Sequence, residues 1–200
     1  MSDLLNIGYL LRLARETVSD PKGGAREVMD LHLSRQALIL MFAIVVVLSL
    51  ILGEIVALMA QLPTGGDVAF AFRSPLVLGL LQGVFLLVTA YAMTFVGRLF
   101  GGVGSFNGAL ALVVWLQFIF ICIQIVQIGA LLLIPPVAGL ITILALGLFF
   151  WLLVNFIAAL HGFTSTGMVF VMTIVSSIVI LFLLGLVLTM LGLSTDLQGF

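Results

Sequence analysis

Five long apolar stretches occupy most of the chain, and each has the length of a helix that crosses a bilayer. A hydrocarbon core about 30 Å thick needs about 20 apolar residues in a helix, which satisfies its own backbone groups. The stretches are Ala37–Leu62, Pro75–Val96, Phe106–Ile134, Val137–Leu160 and Met168–Leu191. The pattern predicts an all-α fold, a polytopic membrane bundle of five transmembrane helices over residues 37–191, with a tail at 192–200.

The region before the first stretch, residues 1–36, predicts two short helices. Within Asp3–Val18, apolar residues recur at three- and four-residue spacing opposite a polar face, which indicates an amphipathic helix. Such a helix either lies in the membrane interface or packs against the cytoplasmic ends of the bundle. Ser19 or Asp20 can cap a second helix, about Pro21–Ser34, whose first residue is a proline.

Composition supports the membrane assignment and removes several kinds of chemistry. Hydrophobic residues make up 64% of the chain and charged residues 8%, against about 25% charged residues in a soluble domain. The single cysteine, Cys122, excludes a disulfide within the chain and is interpreted as an apolar packing residue. One cysteine and two histidines without close spacing predict no metal site. We expect no cofactor and no nucleic-acid partner.

The distribution of basic residues predicts an orientation. Arg12, Arg15, Lys22, Arg26 and Arg35 precede the first stretch, and only Arg73 and Arg98 follow it. Because short loops with an excess of basic residues stay in the cytoplasm, we expect a cytoplasmic N-terminus. Five crossings then place residues 192–200 outside the cell membrane. The loop Gly97–Ser105 falls inside, and the loop Pro63–Ser74 falls outside.

Polar residues inside the stretches form a candidate cluster. Glu54 is the only acidic residue within a predicted span. At about 1.5 Å per residue, Glu54, Gln82, Gln124 and Gln127 all lie about 10 to 15 Å from the outer ends of their helices. Gln117 shares one helical face with Gln124 and Gln127, because the three are separated by seven and three residues. We therefore expect this face to turn toward Glu54 and Gln82.

Three interpretations of this cluster remain open from the sequence. The glutamines can form hydrogen bonds between helices, worth about 1 kcal/mol each. Glu54 can lie near the outer interface, solvated or paired with Arg73. The cluster can also line a proton or solute pathway, since ionisable groups in a membrane are expensive and often functional.

A glycine-rich segment, GRLFGGVGSFN, joins the second and third stretches. A turn of this kind before a helix N-terminus can bind phosphate, although this one lacks the lysine and the spacing of a P-loop. The other interpretation is a plain connector along the membrane surface. The candidate contact residues of this predicted cytoplasmic loop are Arg98, Gly101, Gly102, Gly104 and Ser105.

The order of these features resembles a known family. An Asp20–Pro21 step precedes five close-set spans, the second and third spans are joined by GRLFGGVGSFNGAL, and LHGFTST follows the fourth at Leu160–Thr166. This is similar to the bacterial branch of the Yip (Ypt-interacting protein, Yip-one domain) family. The resemblance implies a five-span bundle with a cytoplasmic N-terminus. Eukaryotic members are implicated in vesicle traffic with Rab-type GTPases and in membrane shaping, and no binding residues are carried over from them.

Two function classes follow from these observations. The first is a non-enzymatic scaffold or adaptor of the bacterial inner membrane that recruits a membrane or cytoplasmic protein through residues 2–34. The second is a small transporter, channel or lipid-handling protein that uses the Glu54 and glutamine layer. An enzyme is not expected, because Glu54 and the histidines fall on opposite sides of the bilayer and form no catalytic set.

Overall fold

The computed structural model describes residues 6–59 and 74–190, and every regular element in this part of the chain is an α-helix. In chain order the helices are α1 (Ile7–Ser19), α2 (Pro21–Asp30), α3 (Arg35–Met59), α4 (Pro75–Leu99), α5 (Phe106–Leu133), α6 (Pro135–His161) and α7 (Thr166–Met190).

The predicted fold class, an all-α membrane bundle, is confirmed. Helices α3 to α6 are each long and apolar enough to cross a bilayer. Helix α7 lies at the position of the fifth predicted span and is apolar as well, counted over Thr166–Val179. Helix α4 runs three residues beyond the predicted end at Val96. The predicted end of the first span at Leu62, nearly all of the predicted outer loop and the tail at 192–200 lie outside the described residues.

Helix α5 is the centre of the bundle and packs against α2, α3, α4 and α6. Its side chains are buried without interruption from Ala109 to Leu116, so this part of the helix is enclosed on every side. Apolar residues around the whole circumference are typical of such a buried helix. Beyond Ile121 no residue of α5 is fully buried.

The two short N-terminal helices pack onto one end of this bundle. Asn6 caps α1 by accepting hydrogen bonds from two backbone N–H groups, and Asp20 caps α2 by accepting one from Gly23, as the sequence suggested for Asp20. Helix α2 contacts α5 and α6, with Ala25 and Val28 buried. The sequence left two alternatives for α1, a position in the membrane interface or packing against the bundle. In the structure, α1 packs against the bundle.

A buried hydrogen bond links α1 to the central helix. The indole N–H of Trp115 donates to Thr17 Oγ1 over 3.1 Å, and both side chains are at least 95% buried. Leu13, one turn earlier in α1, is also fully buried. We call the end of the bundle that carries α1, α2 and the α4–α5 connector the docked end.

The opposite end of the bundle is built differently. Helices α5 and α6 are joined there by a tight turn at Ile134, with Pro135 as the first residue of α6. Proline is favoured at this position, because the first helical N–H has no partner within the helix. We call this the open end, since few side chains of α3, α5 or α6 near it are fully buried.

Candidate functional site

The five polar residues predicted to form a cluster line one cavity of about 680 Å³. The cavity lies toward the open end, between α3, α4, α5 and α6. The predicted residues that line it are Glu54, Gln82, Gln117, Gln124 and Gln127. Three hydroxyl side chains, Ser49, Thr89 and Thr142, line it as well. The structure therefore brings together the polar side chains of four helices.

Two of the glutamines form hydrogen bonds between neighbouring helices. Gln82 on α4 donates from Nε2 to Ser49 Oγ on α3 over 2.6 Å. Gln127 on α5 donates from Nε2 to Thr142 Oγ1 on α6 over 2.7 Å. Both hydroxyls donate in turn to backbone carbonyls of their own helices. These bonds fit the first interpretation of the cluster, in which glutamines join helices, while leaving the cavity open between them.

Glu54 is half-buried and is the only charged residue among the described residues that line this cavity. Carboxylates inside a membrane bundle usually face a cavity or a partner rather than lipid, because transfer of a charge into hydrocarbon is expensive. The alternative partner Arg73 lies outside the described residues. Glu54 thus gives the cavity its only formal charge within the described part of the chain.

The docked end contains a second polar arrangement, centred on His161 at the end of α6. Its side chain is only 4% exposed. The backbone N–H of Gly104 donates to Nδ1 over 3.0 Å, and Nε2 lies 2.9 Å from the carbonyl oxygen of Met93. Because Nδ1 accepts a hydrogen bond and Nε2 faces an acceptor, the ring is the neutral tautomer with its proton on Nε2.

Glycines of α4 and of the α4–α5 connector surround this imidazole. A Cβ atom added to Gly97, Gly102 or Gly104 would overlap atoms of the His161 ring. Gly101 has φ +85°, a left-handed conformation that glycine adopts without strain. Three of the glycines are therefore required by the close approach of a buried ring, and the fourth by the turn.

The remaining candidate residues of the connector are used to hold its shape. Arg98 donates from Nε to the carbonyl oxygen of Gly104 over 3.0 Å. Ser105 caps α5, because its hydroxyl accepts from the N–H of Gly108 over 3.1 Å. Because the Gly104 N–H donates to His161, it is not available to bind phosphate. The connector joins α4 to α5 and closes over His161.

Comparison with known proteins gives one result. A family model, the Yip1 domain, matches residues 15–188. The chain belongs to the Yip1 domain family. No curated protein and no solved structure matches the chain significantly. Both polar arrangements of this Yip1 domain protein lie inside the matched region, as does the docking of α2 and the C-terminal part of α1.

His161 was not among the candidate residues that the sequence indicated for this Yip1 domain protein. Its ring joins the end of α6 to α4 and to the connector. A chain turn with Gly162 in a left-handed conformation, φ +72°, follows directly. The two segments that carried the resemblance, GRLFGGVGSFNGAL and LHGFTST, meet at this histidine. The occurrence of both segments in one chain was the sequence signal that could have pointed to this contact.

Proposed function

We propose that this Yip1 domain protein is a non-enzymatic membrane scaffold or adaptor whose docked end faces the cytoplasm of a bacterial cell. The positive-inside rule supports this orientation, since the basic residues concentrate in and around α1 and α2. The family membership agrees with a role in membrane organisation. In this orientation residues 192–200 lie on the far side of the membrane.

The observation that carries the proposal is the packing of α1 and α2 on the bundle. The buried Trp115–Thr17 hydrogen bond and the buried Leu13 hold one face of the pair against the bundle. The other face is exposed and carries charges of both signs, at Arg12, Arg15, Glu16, Arg26, Glu27 and Asp30. A charged surface that is fixed in advance binds a partner with less loss of conformational entropy than a flexible segment.

Charge reversal on this exposed face tests the proposal. Cross-linking in native membranes is expected to capture a reproducible partner at α1 and α2. The variant Arg15→Glu/Arg26→Glu is expected to lose that partner, because both arginines are exposed and neither contributes to the buried face. The variant Arg15→Lys/Arg26→Lys, which keeps both charges, is the matched control. Absence of any partner, or equal capture by both variants, contradicts an adaptor role.

Orientation is tested separately, by labelling single cysteines with an impermeant maleimide in a Cys122→Ser background. Exposed Ile7 on α1 and exposed Ile134 in the α5–α6 turn are suitable positions. A cysteine at Ile134 is expected to react in intact cells, and one at Ile7 only after permeabilisation. The reverse pattern excludes a cytoplasmic docked end.

A second candidate function is transport, channel activity or lipid handling. The specific observation that favours it is the 680 Å³ cavity lined by Glu54 and four glutamines. Purified protein in liposomes is expected to show solute flux or lipid scrambling that Glu54→Gln reduces. Folded protein that supports neither process excludes this candidate for the solutes and lipids tested.

A further inference from the structure

A second cavity lies next to the polar one and differs from it in chemistry. It has a volume of about 280 Å³ and is lined by α4, α6 and α7. Its walls are mainly apolar, with Val88, Ala92, Leu153 and Ile157 among them. Aliphatic walls of this kind suit a hydrocarbon chain better than a hydrated solute.

The two cavities follow one another along the same pair of helices. They share Phe85, Thr89 and Phe149. On α4 the polar cavity is lined from Leu78 onward and the apolar cavity continues to Gly97. At about 1.5 Å per residue, this distance along the helix is about 28 Å. Together the cavities offer a polar compartment and then an apolar one, which is the order of groups in a membrane amphiphile.

The charge of the polar compartment restricts which head group an amphiphile bound there can carry. Glu54 is negative when ionised, and the described residues that line either cavity include no lysine or arginine. A head group with only negative charge would meet a carboxylate without a compensating cation. An ammonium group can bind the carboxylate, donate hydrogen bonds to the glutamine side-chain oxygens and contact the rings of Phe85, Phe120 and Phe149.

We propose that an amphiphile with an ammonium-bearing head group binds across the two cavities, with the ammonium beside Glu54 and one hydrocarbon chain between α4, α6 and α7. The polar compartment falls within the usual range of about 300 to 1,000 Å³ for ligand sites. This inference sharpens the second candidate function and rests on it, and it does not depend on an adaptor role. The ammonium can come from a bilayer lipid or from a free single-chain amine.

Binding to the purified full chain, measured by native mass spectrometry from detergent micelles, separates these sources. The probes are phosphatidylethanolamine, phosphatidylglycerol with the same acyl chains, dodecylammonium and ethanolamine. Retention of phosphatidylethanolamine in preference to phosphatidylglycerol is expected for a lipid ligand. Retention of dodecylammonium alone identifies a free amine as the ligand, and ethanolamine, which has no chain, is expected not to bind at the same concentration.

Variants separate the two compartments. Glu54→Gln is expected to weaken retention of ammonium probes at least tenfold, whereas Glu16→Gln on the exposed face of α1 is expected to leave it unchanged. Ala92→Phe is expected to weaken retention of every probe with a chain, because it fills the apolar cavity. Ala43→Phe, an exposed position outside both cavities, is its matched control. If Ala92→Phe does not fold, Val88→Phe fills the same cavity from a more exposed position.

The possible failures are distinguishable. Equal retention of phosphatidylglycerol, or no effect of Glu54→Gln, overturns the ammonium preference and leaves lipid handling standing. Solute flux through liposomes without retention of any amphiphile overturns the inference and leaves a channel or transporter. Absence of both retention and flux from folded protein overturns this inference and the second candidate function together.

Discussion

The two ends of this bundle differ in how closely their side chains pack. At the docked end, α5 is buried continuously from Ala109 to Leu116, α6 is buried from Leu152 to Ala158, and the His161 ring has two hydrogen-bond partners. Toward the open end, the same helices line a 680 Å³ cavity, whose walls include Glu54 and four glutamines. Close packing makes an interior sensitive to every added or removed atom, whereas a cavity tolerates substitution.

The difference assigns separate roles to the two ends. Around α5 and His161 the docked end has the properties of a structural core, because its glycines, its histidine and its buried side chains are in close contact. The apolar cavity reaches this end only on the side where α4, α6 and α7 meet. The open end has the properties of a binding compartment, because its side chains leave space between them. Local stability in a protein is uneven in this way, and ligand sites are drawn from the less stable part.

The largest expected effect is at the buried histidine. His161→Ala removes both hydrogen bonds, leaves the Gly104 N–H and the Met93 carbonyl without this partner, and creates a cavity. We expect a loss of about 4 kcal/mol in the free energy of unfolding, measured by denaturant titration in micelles. A loss below about 1 kcal/mol would show that His161 is not part of a structural core at the docked end.

Substitution of Gly97 is expected to have the next largest effect. Gly97→Ala places a Cβ atom against the His161 ring, and overpacking of this kind destabilises by about 1 to 3 kcal/mol. Gly147→Ala is the matched control in α6, since its added Cβ would have no atom within 4 Å apart from its chain neighbours and the nearby backbone of its own helix. The control is expected to be neutral or stabilising, because alanine favours a helix more than glycine does.

A double variant tests whether the His161 ring is the cause of the destabilisation expected from Gly97→Ala. If the collision with the ring destabilises Gly97→Ala, the added methyl group is expected to be harmless once the ring is removed. Gly97→Ala/His161→Ala should therefore be no less stable than His161→Ala alone. Additive losses would place the effect of Gly97→Ala elsewhere in α4.

A smaller effect is expected where α1 meets the central helix. Thr17→Val keeps the shape of the side chain but leaves the buried Trp115 N–H without its acceptor, which costs about 1 to 2 kcal/mol. The same variant is expected to increase protease cleavage within α1, and Val18→Thr, at an exposed neighbouring position, should not. Unchanged cleavage would mean that Leu13 and the contacts of α2 suffice to hold α1.

The smallest effect is expected at the open end. Gln82→Leu removes one hydrogen bond between α3 and α4, while the Ser49 hydroxyl keeps its bonds to its own helix. Bonds of this type between membrane helices are worth about 0.6 kcal/mol on average. A loss of 2 kcal/mol or more in the same unfolding assay would show that the polar cluster is a structural core, and would remove the contrast between the two ends.

The sequence predicted the positions of the helices because membrane spans are specified locally. Length and hydropathy identify a span without knowledge of its neighbours, and Asp20 with Pro21 identify the start of α2. The polar cluster could also be predicted from the sequence, because the depth of each residue in the membrane follows from the number of residues between it and the end of its helix. The end of α4 was harder to predict, because the chain turns there to pack over His161, a residue of α6.

The amino-acid sequence by itself determined the membrane environment, the helical fold and the set of polar residues that share one depth. Only the tertiary structure decided that α1 packs on the bundle, that His161 joins α6 to α4, and that the polar residues surround space instead of filling it. Hydropathy and helical periodicity act within one helix, so they can be read along the chain. The Thr17–Trp115 and Gly104–His161 contacts join residues 98 and 57 positions apart, and depend on how the helices pack in three dimensions.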